Sequence, residues 1–183
     1  MRLRAERRAV SDGPMSIVVR RIQPGDASAL KTIRLAALAD RPDAFGSTLE
    51  REEAFTPEIW ASRTLQSSLG DHAVTYLAWL DDDAVGIVGG LRNGAVVELM
   101  SMWTSPDLRR RGLGRRLVEA TVEWAADAEA ERVELWVMRG NDAAQQLYES
   151  LGFVVTVGHQ SVPSDPCKDE IRMTRRLTVP PIL

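Results

Sequence analysis

The chain has few of the residues that form disulfides or bind transition metals. It carries one cysteine and two histidines in 183 residues, so an intramolecular disulfide is excluded. Cys167 lies in a polar segment with no paired histidine, and we interpret it as incidental rather than nucleophilic. His72 and His159 lack the spacing of a ligand pair, which argues against a zinc or iron site.

Long apolar runs and a strong excess of charge are missing as well. No apolar run reaches the length of a membrane span or of a signal-peptide core. The formal net charge is only −3, whereas general nucleic-acid binding uses a basic surface. Together with the lone cysteine, these absences predict a protein of the reducing cytoplasm that has neither a nucleic-acid nor a membrane partner.

What the sequence does contain is enough apolar material for one globular domain. Hydrophobic residues make up 44% and charged residues 27% of the chain, which is typical of a domain of this length. Residues 1–14 differ, because they are rich in arginine, poor in apolar side chains and end at Gly13-Pro14. We expect a disordered extension over 1–14 and a single domain over 15–183, with Met15 as an alternative translation start.

A basic, glycine-rich segment is the most informative feature of the chain. Residues 109–115, Arg-Arg-Arg-Gly-Leu-Gly-Arg, lie between an apolar strand-like run at 96–104 and a helix with Leu117 and Trp124 on its apolar stripe. Glycines at a helix start expose backbone N–H groups, and the helix dipole and the arginines attract an anion. The segment therefore predicts a pyrophosphate site. It is neither a dinucleotide-binding loop, which needs a third glycine at Leu117, nor a P-loop, which ends in Gly-Lys-Ser or Gly-Lys-Thr.

A second motif follows the strand-like run at 133–137. Residues 141–153 read Asn-Asp-Ala-Ala-Gln-Gln-Leu-Tyr-Glu-Ser-Leu-Gly-Phe. Asn141 is suited to cap a short helix that Gly152 ends. Tyr148 follows Leu147 by one residue, so it points about a quarter-turn away from the apolar stripe of that helix.

Both motifs, in this order, resemble the acetyl-coenzyme A site of the GNAT superfamily of N-acetyltransferases. The first matches its basic-x-x-Gly-x-Gly loop, and the second matches its Asn-x-x-Ala-x-x-Leu-Tyr-x-x-Leu-Gly-Phe signature. The resemblance extends over about residues 15–177 and implies an α/β (α+β) fold with a mixed sheet of about seven strands, about four helices and the order βααβββαβαββ. It also implies an acyltransferase that uses acetyl-CoA as a cosubstrate and needs no metal.

The resemblance further assigns the residues that bind the cofactor. In the family, a bulge splays two central strands so that the pantetheine arm bonds to free backbone groups, and the pyrophosphate binds mainly to N–H groups of the loop. The corresponding residues here are Met102, Trp103, Thr104, Arg109, Arg110, Arg111, Gly112, Leu113, Gly114, Arg115 and Asn141.

Two residues are the candidate catalytic groups. Tyr148 matches the tyrosine that protonates the coenzyme A sulfur in many members, a role that suits a phenol because it is protonated at neutral pH; the alternative is a structural tyrosine.

Glu98 resembles the strand glutamate that accepts the amine proton in histone-acetyltransferase-type members. Its alternatives are a glutamate that faces solvent or pairs with an arginine, and some members use water instead of a base. Strand alternation places Glu98, Met100 and Met102 on one face and Trp103 on the other.

Two parts of the sequence bear on the acceptor amine. Trp136 stands where ribosomal-protein N-terminal acetyltransferases carry a glutamate, which argues against a protein N-terminus and favours another amine. The resemblance implies an acceptor wall at Phe45, Gly46, Glu50, Glu52, Glu53 and the polar loop 161–168. The three glutamates either attract a polyamine or aminoglycoside or form a solvated charged face. A protein acetyltransferase and a coenzyme A sensor without turnover are the alternatives, and a homodimer is left open.

Overall fold

A computed structural model describes residues 16–162 and 165–177 of the chain, and the extension expected over residues 1–14 lies outside the described residues. The strands are β1 (Ile17–Arg21), β2 (Ala73–Leu80), β3 (Asp83–Asn93), β4 (Val96–Thr104), β5 (Arg132–Met138), β6 (Val154–Val162) and β7 (Asp165–Arg176). The helices are α1 (Ala27–Asp40), α2 (Leu49–Glu53), α3 (Pro57–Ser68), α4 (Leu113–Asp127) and α5 (Asp142–Glu149). None of the described helices is long and apolar enough to span a membrane.

The seven strands form one mixed sheet in the order β1-β2-β3-β4-β5-β7-β6. Neighbouring strands are antiparallel except β4 and β5, which are parallel and connected through α4. This arrangement confirms the predicted fold class. The described chain has one α-helix more than the predicted order, the short α2, because the Thr48 hydroxyl caps it by accepting the Arg51 N–H at 3.3 Å.

Helices cover both faces of the sheet. Consecutive residues of a strand point to opposite faces, and Val88 belongs to the apolar cluster around α4 whereas its neighbour Ile87 belongs to the cluster around α1 and α3. Leu117 of α4 and Leu38 of α1 are both fully buried in these clusters. Each such side chain contributes about 1.5–3 kcal/mol through its removal from water, so the two layers hold β3 and β4 firmly at the centre of the sheet.

One extra residue in β4 produces a bulge at Ser101. Met100 pairs with Gly89 but Trp103 pairs with Ile87, so a step of three residues along β4 spans two residues of β3. Ser101 has a positive φ of 57°, a conformation that costs a non-glycine residue about 1–2 kcal/mol. A bulge of this kind bends its strand and increases the local twist.

The bulge overturns the predicted alternation along β4. Strict alternation places Met102 and Trp103 on the wrong faces, because the extra residue shifts the pattern by one position beyond Met100. Leu99 and Met102 both pack against the α4 cluster, whereas Trp103 is buried in the α1–α3 cluster. The strand therefore presents its side chains with one parity before the bulge and with the other parity after it.

Beyond the bulge, β4 and β5 separate. Their parallel pairing ends at Leu99 and Leu135, although β4 continues to Thr104 and β5 to Met138. The edge of β4 that faces β5 is consequently unpaired over its last residues. A splay at this position agrees with what the family resemblance implies.

The last hairpin is longer than the sequence suggests. The predicted polar loop over 161–168 is wrong in extent, since Ser161 pairs with Asp169 and Val162 with Asp165 in the β6–β7 ladder. Hydrogen bonds to a neighbouring strand outweigh the low strand propensity of the serine, proline and aspartate residues in this segment.

Candidate active site

A cleft of about 640 Å³ opens where β4 and β5 separate. Its walls come from the end of β4, the loop before α4, the first turn of α4 and helix α5. It gathers most of the predicted site residues, namely Met102, Trp103, Thr104, Arg109, Arg110, Gly112, Gly114, Arg115, Asn141 and Tyr148. The predicted residues Arg111, Leu113 and Glu98 do not line it.

The backbone at the start of α4 is suited to bind an anion. Arg110 and Gly112 have positive φ angles of 62° and 79°, and Gly112 directly precedes the first helical residue. The N–H groups in the first turn have no partner inside the helix, and the helix dipole adds positive charge there. Apart from the chain neighbours, no atom lies within 4 Å of the place where a Cβ on Gly112 would be. The residues present therefore fit a diphosphate group, with Leu113 able to contribute only its backbone because its side chain is buried in the core.

Gly114 lies where three elements of the cleft come close together. A Cβ at this position would lie 2.8 Å from Cε of Met102 and 3.1 Å from Cδ2 of Leu147. Both distances are shorter than ordinary van der Waals contact. The missing side chain thus lets β4, α4 and α5 meet and keeps the floor of the cleft open.

The arginines of the loop differ in whether their side chains form ion pairs and hydrogen bonds. Arg109 forms an ion pair with Asp40 and donates to the Thr104 carbonyl at 3.3 Å. Asp40 also accepts the Trp103 indole N–H at 2.8 Å. Burial alone would raise the pKa of Asp40, but the hydrogen bonds from Trp103 and Arg109 outweigh it and the pKa is lowered. Arg110, by contrast, lines the cleft and has no ion pair or side-chain hydrogen bond within residues 16–162 and 165–177.

Helix α5 contributes the two predicted residues of the second motif. Asn141 Oδ1 accepts the Ala144 N–H at 3.4 Å, which confirms the predicted helix cap. Tyr148 is only 6% exposed, and its ring meets the edge of the Phe153 ring at 5.7 Å between centroids. Burial raises the pKa of Tyr148, and its hydroxyl has no hydrogen-bond partner in the described part of the chain. The phenol is therefore neutral, lines the cleft and has its proton available for donation.

Glu98 lies just before the point where the strands separate, on the face of β4 opposite Leu99. Its register partners are Leu91 on β3 and Glu134 on β5. The side chain is exposed and forms no ion pair with any of the described residues. Partial desolvation raises the pKa of Glu98, and the negative charges of Glu134 and Glu170 raise it further. A carboxylate with a raised pKa is a stronger proton acceptor than an ordinary glutamate.

Comparison with known proteins identifies the family of this fold and cleft. The profile of the acetyltransferase (GNAT) family matches residues 36–153, which is well over half of the chain and includes both motifs. The chain belongs to the GNAT family.

Several GNAT proteins are similar over most of the described fold. A mycothiol acetyltransferase of Nocardiopsis dassonvillei is 34% identical over 126 residues, covering 65% of this chain and 36% of its own length. The [ribosomal protein bS18]-alanine N-acetyltransferase of Salmonella typhimurium is 31% identical over 126 residues, covering 68% of this chain and 81% of its own. This chain spans only about a third to a half of the mycothiol acetyltransferases that it matches.

Solved structures share the fold at lower sequence identity. A GNAT acetyltransferase from Streptococcus pneumoniae superposes with a TM-score of 0.77 at 24% identity, covering 89% of this chain and 100% of that one. The PaiA N-acetyltransferase of Thermoplasma acidophilum, solved in complex with coenzyme A, superposes with a TM-score of 0.67 at 18% identity, covering 89% of this chain and 100% of its own.

A buried ion-pair network beside the bulge of this GNAT protein is absent from the sequence prediction. Arg34 of α1 donates to both carboxylate oxygens of Glu52 at 2.8–3.2 Å. Its third nitrogen donates to Ser101 Oγ at 3.2 Å, and Arg63 of α3 donates to Glu52 at 3.1 Å. The network thus connects three helices to the residue with positive φ that forms the bulge.

Glu52 is therefore different from the glutamate that the sequence led us to expect. It is 1% exposed, so it neither attracts a polycation at the surface nor forms a solvated face. Burial alone would raise its pKa, but hydrogen bonds from Arg34 and Ser47 and the charges of Arg34 and Arg63 outweigh burial and lower it. One sequence signal does point to the network: Arg34 lies four residues from both Leu30 and Leu38 on the buried stripe of α1, where a charge requires a partner.

Proposed function

We propose that this chain transfers the acetyl group of acetyl-CoA to the primary amine of a small molecule, directly between the two bound substrates. The observation that carries the proposal is the splay of β4 from β5 beyond Leu99, which opens onto the helix start at Gly112 and Gly114. An unpaired strand edge beside an open helix N-terminus suits an extended thioester arm with a diphosphate tail.

In this proposal, the cofactor is held mainly by backbone. The unpaired edge of β4 over Met102, Trp103 and Thr104 receives the extended arm. The N–H groups of residues 110–115 and the free side chain of Arg110 hold the diphosphate, and Asn141 steadies it from α5. When bound, acetyl-CoA supplies an activated acetyl thioester. The protein supplies alignment and the movement of protons.

Tyr148 donates a proton to the departing sulfur. Its raised pKa keeps it protonated at neutral pH, and its hydroxyl is not committed to another described residue. A positioned general acid of this kind contributes about 10²- to 10⁴-fold to the rate.

Glu98 accepts the proton that the attacking amine loses, directly or through a water molecule. It lies on β4 one residue before the last β4–β5 pair, at the end of the strand pairing where the cleft begins. Its raised pKa, which results from desolvation and from Glu134 and Glu170, improves it as a base.

The acceptor class is inferred from the named relatives and from Trp136. One relative is named for mycothiol, a small molecule, and another for the N-terminal alanine of a ribosomal protein. Trp136 occupies the position at which the latter class is expected to carry glutamate, so we favour a small-molecule amine. Acetylation of a protein amine is the second candidate, because the ribosomal-protein enzyme is similar over 81% of its length. A cytoplasmic location, the lack of nucleic-acid and membrane partners and a homodimer remain predictions.

Isothermal titration with coenzyme A tests the cofactor site through a pair of matched variants. Gly112 and Gly94 both have positive φ, and a Cβ at either would meet open space, so Gly112→Ala and Gly94→Ala carry a similar strain of about 1–2 kcal/mol. Only Gly112→Ala obstructs the diphosphate, and we expect it to weaken coenzyme A binding about tenfold or more. Equal affinities of the two variants, or no saturable binding by the wild type, would contradict the proposal.

A further inference from the structure

A second hollow lies on the other side of β4, between α1, α3 and the sheet. This α1–α3 cavity has a volume of about 260 Å³ and is lined, among others, by Arg34, Trp60, Arg63, Gly89, Met100 and Ser101. Its volume is several times the roughly 30 Å³ that one water molecule occupies in the liquid. It therefore has room for a small functional group with a short aliphatic chain.

The α1–α3 cavity and the cofactor cleft share the bulged strand as a common wall. Met100 and Ser101 line the cavity, and the next residues, Met102 and Trp103, line the cleft. Successive residues of a strand are only about 3.3 Å apart. The two hollows therefore lie next to each other at the bulge.

Trp60 and Arg63, two of the side chains that line the cavity, can only donate hydrogen bonds, whereas Gln66, Ser67, Thr75 and Ser101 also line it and can both donate and accept. Trp60 is 2% exposed, and its indole N–H is buried with no acceptor in the described part of the chain. Arg63 donates one N–H to Glu52 at 3.1 Å, and its side chain is 43% exposed. Its other N–H groups therefore remain available. An indole N–H and a guanidinium can donate but cannot accept hydrogen bonds. An occupant that presents acceptors would satisfy these two groups.

The charges around the cavity favour a negative occupant. Arg34 and Arg63 together carry two positive charges, and Glu52 between them carries one negative charge. Glu52 bonds to both arginines, so one positive charge is left over among these three groups; Glu98 lies cross-strand from the lining residue Leu91 but does not itself line the cavity. An unpaired buried indole N–H and an excess guanidinium charge are together matched by a carboxylate.

We propose that the α1–α3 cavity binds the carboxylate of the acceptor, so that the preferred substrates are small amines that also carry a carboxylate group. The inference rests on the proposed acetyl transfer, and it names the acceptor class for that reaction. The amine end of such a molecule lies at the bulge, beside the cofactor cleft, while its carboxylate contacts Arg63 and Trp60.

Matched acid and amide substrates test the proposal. Thiol release is measured with β-alanine, 4-aminobutanoate and 5-aminopentanoate and with their carboxamides, which keep the amine and the chain length. We expect at least one acid to exceed its amide about tenfold or more in kcat/KM, the scale of one hydrogen bond to a charged group. In Arg63→Gln this preference falls towards unity while the coenzyme A affinity is unchanged. Arg51→Gln, an exposed arginine of α2 that does not line the cavity, keeps the wild-type preference.

Equal kcat/KM values for acids and amides in the wild type, or a full preference in Arg63→Gln, would overturn the carboxylate site and leave acetyl transfer intact. Failure of the wild type to bind coenzyme A would instead overturn the proposed function. A direct titration tests the carboxylate site independently of acetyl transfer. The acids should quench tryptophan fluorescence saturably in the wild type but not in Trp60→Phe or Arg63→Gln. No saturable change in the wild type would contradict the carboxylate site whatever the activity.

Discussion

Replacing Glu52 by glutamine tests how strongly the buried network holds this fold together. The change removes the negative charge and leaves the shape of the side chain nearly intact. Arg34 then keeps a guanidinium whose side chain is only 9% exposed, beside a neutral amide. Removing one partner of a buried ion pair costs about 3–5 kcal/mol, because the remaining charge is buried without compensation.

This cost is large compared with the stability of a typical domain, which is about 5–15 kcal/mol. A loss of 1 kcal/mol lowers the Tm of a domain of this size by about 2–4 °C, so Glu52→Gln should melt about 6–20 °C below the wild type. Urea unfolding followed by circular dichroism gives the free energy, and Glu53→Gln, an exposed neighbour on α2, should change it by no more than about 0.5 kcal/mol. The double variant R34M/E52M removes both charges. Its loss in free energy of unfolding should be far smaller than the sum of the losses of the two single variants.

The dependence on pH gives an independent check of the same pair. The folded pKa of Glu52 is lowered below the ordinary value of 4.5, so its contribution to stability is complete above about pH 4.5 and is lost as the pH falls through the folded pKa. Glu52→Gln should lack this part of the acid destabilisation. A cost below about 1 kcal/mol for Glu52→Gln, which is the range of surface ion pairs, would refute the reasoning.

Two further predictions concern the proposed proton donor and acceptor. Tyr148→Phe should lower kcat about 10²-fold or more and leave the coenzyme A affinity within about twofold by titration. Tyr76→Phe alters the other tyrosine, which lies away from the cleft, and should leave kcat unchanged. A wild-type kcat in Tyr148→Phe would remove Tyr148 from the mechanism. Glu98 must be ionised to act as a base, so kcat/KM should fall as the pH drops through its pKa, which lies above the ordinary 4.5. Glu98→Gln should lack this acidic fall in kcat/KM. Glu134→Gln should move the fall to lower pH, because one of the charges that raise the pKa of Glu98 is gone. The same pH dependence in the wild type and both variants would exclude Glu98 as the base.

The parts of the site that depend on local sequence could be predicted. Gly112 has the positive φ that an open helix start requires, and Asn141 caps α5 as its position before a short amphipathic helix indicates. Both features follow from a residue and its immediate neighbours along the chain. The strands and their order also followed from periodicity and from the family resemblance.

The parts that depend on tertiary packing could not be predicted in the same way. Nothing in the local pattern distinguishes Glu52 from Glu50 or Glu53, because only the fold brings it against Arg34, 18 positions earlier in the chain. The faces of Met102 and Trp103 were assigned wrongly for a similar reason. The family resemblance implied a bulge, but its position at Ser101 depends on the pairing of β4 with β3 and is not marked in the composition of the strand.

Because β4 contains one additional residue, the number of residues in this strand matters to the site as much as their identities. A substitution between residues 97 and 104 alters one contact. Deleting one residue there would instead exchange the environments of Met102 and Trp103 and let β4 run on alongside β5. The opening of the cofactor cleft thus depends on the number of residues in β4, and single-residue deletions in this strand should be far less tolerated than most point replacements within it.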